Sequence, residues 1–99
     1  MTVFDLPARL DATNAPAIEQ QLLRLIQTDK PALLVCNFAA TDYISSAGLR
    51  VVIKANQKQA AAGRKLILCG LQEYVREVFD MAGLGTLLDI RPDRQAALS

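Results

Sequence analysis

Short apolar runs alternate along this chain with longer segments in which apolar residues recur every three or four positions. The runs cover residues 2–6, 32–38, 65–69 and 86–90. They show little alternation of apolar and polar residues, which is typical of strands that are covered on both faces of a sheet. The segments between them have helical periodicity. The pattern therefore predicts the order β-α-β-α-β-α-β and an α/β fold with a mostly parallel or mixed four-stranded sheet.

Each segment between the runs carries one apolar stripe, so three helices are predicted to cover the sheet. Thr13 or Asn14 can cap the first helix, and Pro16 suits its first turn. Residues 92–99 can add a short C-terminal helix. The predicted stripes are Ile18, Leu22, Leu25 and Ile26 in the first helix, Leu49, Val52, Ile53, Asn56 and Ala60 in the second, and Leu71, Val75, Val78 and Phe79 in the third.

Length and charge narrow the class of protein. The 99 residues suit one domain, spanning 1–99, and a hydrophobic share of 52% is enough for one core. The net charge of +1 offers no basic field for nucleic acid or an anionic membrane. No apolar stretch approaches the roughly 20 residues of a membrane helix, and the N-terminus lacks a signal-peptide pattern. We expect a soluble cytoplasmic protein that neither binds nucleic acid nor inserts into a membrane.

The chain has no histidine, which removes the common nucleophilic triads and histidine metal sites. Its glycines form no phosphate-binding loop, and its acidic residues are too dispersed for a metal cluster. Cys36 and Cys69 each lie within an apolar run, so we expect buried free thiols. The sequence therefore predicts a protein without catalytic activity, metal or cofactor.

Ser45 and Ser46 occupy the junction between an apolar run and the second helix. The first backbone N–H groups of a helix lack internal partners, and the helix dipole is positive there. A serine at this point can cap the helix, or it can accept a phosphate group. Residue types alone leave both interpretations open.

Four segments of the chain together resemble the STAS domain, the family of bacterial anti-sigma-factor antagonists. The family signature is similar to Asn37-Phe38-Ala39-Ala40-Thr41-Asp42-Tyr43-Ile44-Ser45-Ser46-Ala47-Gly48-Leu49. The other three segments are Arg9-Leu10-Asp11-Ala12-Thr13-Asn14-Ala15-Pro16, Gly63-Arg64-Lys65-Leu66-Ile67-Leu68-Cys69-Gly70-Leu71 and Val75-Arg76-Glu77-Val78-Phe79. They occur in the family's order and cover nearly the whole chain.

The resemblance implies a protein-binding regulator. In this family the unphosphorylated antagonist binds an anti-sigma factor, which is usually a serine kinase, and a phosphatase reverses the phosphorylation. By motif position the phospho-acceptor corresponds to Ser46. The residues expected to form the partner-binding surface are Asp11, Thr13, Asn14, Ser45, Ser46, Gly48, Leu49 and Arg50.

The chain departs from the family pattern in three respects. Ser45 stands where the family often has aspartate, Asn37 replaces the aspartate at the end of a strand, and almost nothing precedes the first strand. The last departure predicts that the family's N-terminal strand is absent or shortened. Two further functions remain open. One is a STAS subunit of a bacterial transport complex such as a lipid-transport ATPase, and the other is a small enzyme on a similar scaffold, which the missing histidine disfavours.

Overall fold

The computed structural model describes residues 1–97, and it forms an α/β fold that begins with a strand. The elements are β1 (Thr2–Asp5), β2 (Arg9–Leu10), α1 (Ala15–Thr28), β3 (Leu33–Asn37), β4 (Tyr43–Ile44), α2 (Ser46–Ala61), β5 (Lys65–Cys69), α3 (Glu73–Met81), β6 (Asp89–Arg91) and α4 (Arg94–Ala97). The predicted strand at 65–69 has the same bounds in the structure, and the predicted strands at 2–6 and 32–38 are shorter by one or two residues.

The main sheet has four strands in the order β1-β3-β5-β6, and every neighbouring pair is parallel. In the central pair, Val35 lies opposite Ile67. This confirms the predicted α/β class with a mostly parallel sheet. It also explains why the central runs lack alternation, because both faces of β3 and β5 are covered.

The two faces of this sheet are covered differently. Leu34 and Leu68 point to the face that α1, α2 and α3 cover, where the larger core cluster lies. Val35 and Ile67 point to the opposite face, where Ala97 of the short helix α4 packs on them. The predicted terminal helix thus exists at 94–97, and residues 98 and 99 lie outside the described part of the chain.

Both cysteines are buried thiols that form no disulfide, as the sequence predicts. Cys36 lies on β3, and Cys69 ends β5. Burial, with a smaller contribution from the neighbouring Cys69, raises the pKa of the Cys36 thiol to about 12. Cys36 therefore behaves as a small apolar core residue at neutral pH.

The predicted strand at 86–90 is wrong in its first half. Only Asp89–Arg91 forms β6, and the preceding residues form turns. The N–H groups of Leu87 and Leu88 donate to the carbonyl oxygen of Leu84 at 3.2 and 3.1 Å. Leu84 and Leu88 are buried, while Leu87 is exposed. The leucines in this run are therefore part of a turn that is anchored in the core by Leu84 and Leu88.

The predicted apolar stripe of α2 is also wrong by about one position. The residues that α2 buries are Gly48, Val51, Val52, Ala55 and Gln59. Of the predicted stripe, Ala60 is exposed and three other members are only half-buried. The helix turns small residues and one glutamine toward the core. Such residues do not form a stripe of large apolar side chains in the sequence, so the buried face of α2 is hard to recognise there.

Candidate protein-binding site

Ser45 and Ser46 have different roles at the start of α2. Ser45 is the N-cap, and its Oγ accepts a hydrogen bond from the backbone N–H of Gly48 at 3.4 Å. Ser46 is the first helical residue and is exposed. Within residues 1–97, its hydroxyl makes no hydrogen bond. The two serines therefore have different environments: Ser45 caps the helix, and Ser46 presents its hydroxyl to solvent.

A second, two-stranded parallel sheet places this junction beside the start of α1. Arg9 pairs with Tyr43 and Leu10 pairs with Ile44. The ladder continues one step further, because the Ser45 N–H donates to the carbonyl oxygen of Leu10 at 2.9 Å. The turn that begins at Asp11 and the start of α2 therefore lie at one edge. The sequence assigned residues of both segments to one surface, but it did not predict the two-residue strands that bring them together.

The turn from Asp11 to Asn14 is held by its own side chains. The Asp11 carboxylate accepts hydrogen bonds from the N–H groups of Thr13 and Asn14, at 2.9 and 3.4 Å. The Asn14 amide bridges the turn: its Nδ2 donates to the carbonyl oxygen of Arg9 at 2.6 Å, and its Oδ1 accepts from the Asp11 N–H at 2.9 Å. These bonds order the approach to α1.

The capping of α1 differs from the prediction. Asn14 occupies the N-cap position, but its side chain forms no cap hydrogen bond. Thr13 is exposed in the turn, and the Asp11 carboxylate accepts the N–H groups of Thr13 and Asn14, which precede the helix. The Thr13 N–H is the main reason that the pKa of the Asp11 carboxyl lies below its usual value. Partial burial opposes this, whereas the Asn14 N–H and the Arg9 guanidinium add to it.

Gly48 lies inside the molecule and not on the surface. It is buried against Leu10 and Ile44, and a β-carbon at this position would approach the Leu10 carbonyl oxygen to 2.9 Å. Only glycine lets α2 rest this close to the small sheet. Gly48 therefore affects a binding surface only indirectly: its close packing against the small sheet determines the position of Ser46.

The other residues of the predicted surface remain accessible to different degrees. Leu49 is half-buried and packs against the core, whereas Arg50 is exposed on α2. Ser46 and Arg50 are four residues apart, so they share one side of the helix. The exposed part of the candidate surface is thus Thr13, Ser46 and Arg50, supported by half-buried Asp11, Asn14, Ser45 and Leu49.

Arg9 and Tyr43 extend this surface and were absent from the predicted set. The Arg9 guanidinium lies 4.5 Å from the centroid of the Tyr43 ring, and its Nε lies 3.5 Å from Oδ2 of Asp11. A cation over an aromatic face is held electrostatically. In each short strand an outward-facing residue, Arg9 or Tyr43, is followed by a buried one, Leu10 or Ile44. This alternation could have identified Arg9 and Tyr43, but two residues per strand are too few to show a periodic pattern.

The loop between β3 and β4 is fixed by buried and backbone contacts. Thr41 is buried, and its Oγ1 donates to the carbonyl oxygen of Pro7 at 2.8 Å. The Asp42 N–H donates to the carbonyl oxygen of Ala8 at 2.9 Å. These bonds hold the loop against the β1–β2 connection. The serines that follow are therefore attached to a rigid support.

The described residues, 1–97, contain neither a helix that could span a membrane nor a candidate metal-binding cluster. None of their helices combines the length and the apolar content that crossing a bilayer requires. The same residues contain no group of three or more histidine, cysteine, aspartate or glutamate side chains placed to hold a metal ion.

A family model and a related protein sequence indicate the same family. The model of the STAS domain matches residues 1–97. A proposed anti-sigma factor antagonist, BtrV of Bordetella bronchiseptica, is 35% identical over 98 residues, which are 98% of this chain and 83% of the relative.

Two solved structures share the fold at lower identity. The anti-sigma factor antagonist SpoIIAA of Bacillus, in its unphosphorylated form, superposes with a TM-score of 0.81 at 24% identity, covering 96% of this chain and 84% of that one. A sulfate transporter family protein of Wolinella succinogenes superposes with a TM-score of 0.84 at 12% identity, covering 98% and 80%. The fold alone therefore does not distinguish a sigma regulator from a transporter domain.

Proposed function

Because this chain belongs to the STAS domain family, we propose that it is an anti-sigma factor antagonist. In this proposal its unphosphorylated form binds an anti-sigma factor that is also a serine kinase. Phosphorylation of Ser46 ends the binding, and a phosphatase restores it. The protein acts in the cytoplasm as a binding partner and not as an enzyme. The relative at 35% identity, itself a proposed antagonist, favours this function over a transporter subunit.

One observation carries the proposal: Ser46 is exposed at the first position of α2 while Ser45 supplies the cap. A kinase needs a hydroxyl that it can reach and that no internal hydrogen bond holds. Ser46 meets both conditions within the described residues, whereas the Ser45 hydroxyl is engaged with the Gly48 N–H. Aspartate at 45 could accept the same hydrogen bond, so the family's usual residue and Ser45 are interchangeable as caps.

The physical basis of the switch is charge at an interface. A phosphoserine carries close to two negative charges at neutral pH. The start of a helix tolerates that charge, so the domain itself stays folded. A partner surface that closes over a neutral hydroxyl offers the phosphate no counter-charge of its own, so burying the phosphate against it costs several kcal/mol of binding free energy.

The experiment compares Ser46→Ala, Ser46→Asp and the wild type. Each anti-sigma factor kinase encoded in the same genome is purified, and its Kd for the three forms is measured by calorimetry. Ser46→Ala is expected to bind like the wild type, and Ser46→Asp to bind at least about a hundredfold more weakly. Mass spectrometry after incubation with kinase and ATP should find phosphate on Ser46 of the wild type and none on Ser46→Ala.

Gln57→Asp is the matched control. It adds the same charge to an exposed position of the same helix, eleven residues and about 16 Å further along. It should leave the Kd unchanged. Equal affinity of Ser46→Asp and the wild type, with no phosphate at Ser46, would contradict the switch. Failure of every anti-sigma factor to bind the wild type would contradict the function and leave the transporter subunit as the better alternative.

A further inference from the structure

An open groove runs between α1 and α2 and begins at Ala47, next to Ser46. Its volume is about 420 Å³, and its lining combines small apolar residues with three charged ones, Glu19, Arg50 and Lys54. Ala47 directly follows Ser46, so the groove and the serine belong to one continuous surface. The two helices start at the same edge because β2 and β4 pair in parallel.

The end of the groove near Ser46 is built from small apolar groups. Ala12 and Ala15 form one wall, and Ala47 and Val51 form the other. Val51 and Ala15 are almost completely buried, whereas Ala12 is exposed at the rim. Short side chains on both walls leave a space that a large apolar side chain of another molecule would fill, with a gain from burial of its surface.

The two cations at the groove, Lys54 and Arg50, differ in whether they have an ion-pair partner. Lys54 Nζ lies 3.4 Å from Oε2 of Glu19, and this pair joins the two helices across the groove. Arg50 is exposed, and no carboxylate of residues 1–97 lies within salt-bridge distance of it. The groove therefore offers an apolar site and, at its edge, one guanidinium that is available to a carboxylate.

We propose that this groove is where the anti-sigma factor is anchored, by a segment that carries a large apolar side chain close to a carboxylate. The apolar side chain enters between Ala12 and Ala47, and the carboxylate pairs with Arg50. This inference rests on the proposed function and adds to it the chemistry of the partner. It also accounts for the position of the switch, because a phosphate on Ser46 would repel the incoming carboxylate and compete with it for Arg50.

Two pairs of variants test the proposal with the anti-sigma factor that binds the wild type. Ala12→Leu fills the groove, and Ala17→Leu adds the same side chain at an exposed position on the opposite side of α1. Arg50→Gln removes the guanidinium, and Lys58→Gln removes an equivalent charge two turns further along α2. Ala12→Leu and Arg50→Gln should each weaken binding about tenfold or more, while both controls stay within about twofold of the wild type.

A third variant should strengthen binding. Glu19→Gln releases Lys54 from its ion pair and leaves a second cation for the partner's carboxylate, so the affinity should rise about threefold at low salt. Arg50→Gln should also reduce the dependence of Kd on sodium chloride concentration. A residue that only supports the fold would produce neither effect. Thermal unfolding of each variant checks that the domain remains intact.

The outcomes separate this proposal from the function on which it rests. If the anti-sigma factor binds the wild type, and Ala12→Leu and Arg50→Gln bind equally well, the groove is not the anchoring site and the function stands. If no anti-sigma factor binds the wild type, both proposals fail. If the wild type forms dimers that Ala12→Leu abolishes while partner binding is unchanged, the groove holds a second copy of this chain, and the proposed occupant is wrong.

Discussion

A β-carbon on Gly48 would lie 2.8 Å from Cγ of Leu10, because α2 rests directly on the small sheet. The same β-carbon would lie 2.8 Å from Cγ1 of Ile44, so both strands of the sheet support the helix. The position of Ser46 is thus set by backbone packing two residues further along. This relationship makes Gly48 a structural determinant of the candidate site.

Gly48→Ala should destabilise the domain by about 1–3 kcal/mol, because the added methyl group must displace core side chains or the helix. Urea unfolding measures the loss. Gly63→Ala is the contrast: no atom lies within 4 Å of its β-carbon, and only its φ of +73° is unfavourable. That variant should lose about 1 kcal/mol. A Gly48→Ala protein as stable as the wild type would contradict the close packing.

The two serines should differ in their effect on stability. Ser45→Ala removes the hydroxyl that accepts the Gly48 N–H and should cost about 1 kcal/mol. Ser46→Ala removes an exposed hydroxyl and should change the free energy of unfolding by less than about 0.5 kcal/mol. Chemical denaturation of both variants measures the difference. The reverse order would show that Ser46, and not Ser45, caps α2.

Asp11 should make the domain less stable in acid. Its folded-state pKa is lowered mainly by the Thr13 N–H, so the carboxylate contributes stability above its unfolded-state pKa of about 3.9. That contribution is lost as the pH falls through the lower folded-state value. Asp11→Asn keeps an acceptor oxygen but does not titrate. When the pH is lowered from 5 to roughly 2, the melting temperature of this variant should therefore fall less than that of the wild type. An equal fall in melting temperature for the two proteins would contradict a stabilising role for the ionised Asp11 carboxylate.

Gln59 should not tolerate a charge. It is completely buried, and its Nε2 donates to the carbonyl oxygens of Pro31 and Lys65 at 3.1 and 2.8 Å. Gln59→Glu would turn a carboxylate toward these two oxygens and should cost about 3 kcal/mol or more at pH 7. Protonation lets the carboxyl donate one hydrogen bond, so part of the loss should be recovered toward pH 4. Gln57→Glu, at an exposed position of α2, is the control for unfolding measurements.

The sequence allowed prediction of the parts of the fold that depend on burial over several consecutive residues. The strand at 65–69 was found because it is apolar throughout, and both of its faces are covered. β2 and β4 were missed because two residues cannot show a period. The run at 86–90 was misassigned because buried Leu84 and Leu88 face the core from a turn.

The candidate site was proposed from the sequence, but the local roles of its residues emerged only in the structure. Which serine caps α2 depends on backbone geometry around Gly48. The neighbours Arg9 and Tyr43 come together only through strand pairing across 34 positions of the chain. The groove arises where α1 and α2 meet, and the small residues that line it produce no pattern within either helix.

All strand neighbours in the described structure are parallel, and every paired residue lies at least 22 positions from its partner. No hairpin can therefore form early and act as a template. Closing such long loops costs chain entropy before any pairing compensates for it, so folding should be slow relative to helical domains of this size. During synthesis, β2 must wait for β4 to leave the ribosome. The segments around Asp11 and Ser46 consequently come together only then, and a nascent chain that ends before β4 lacks the surface that they form.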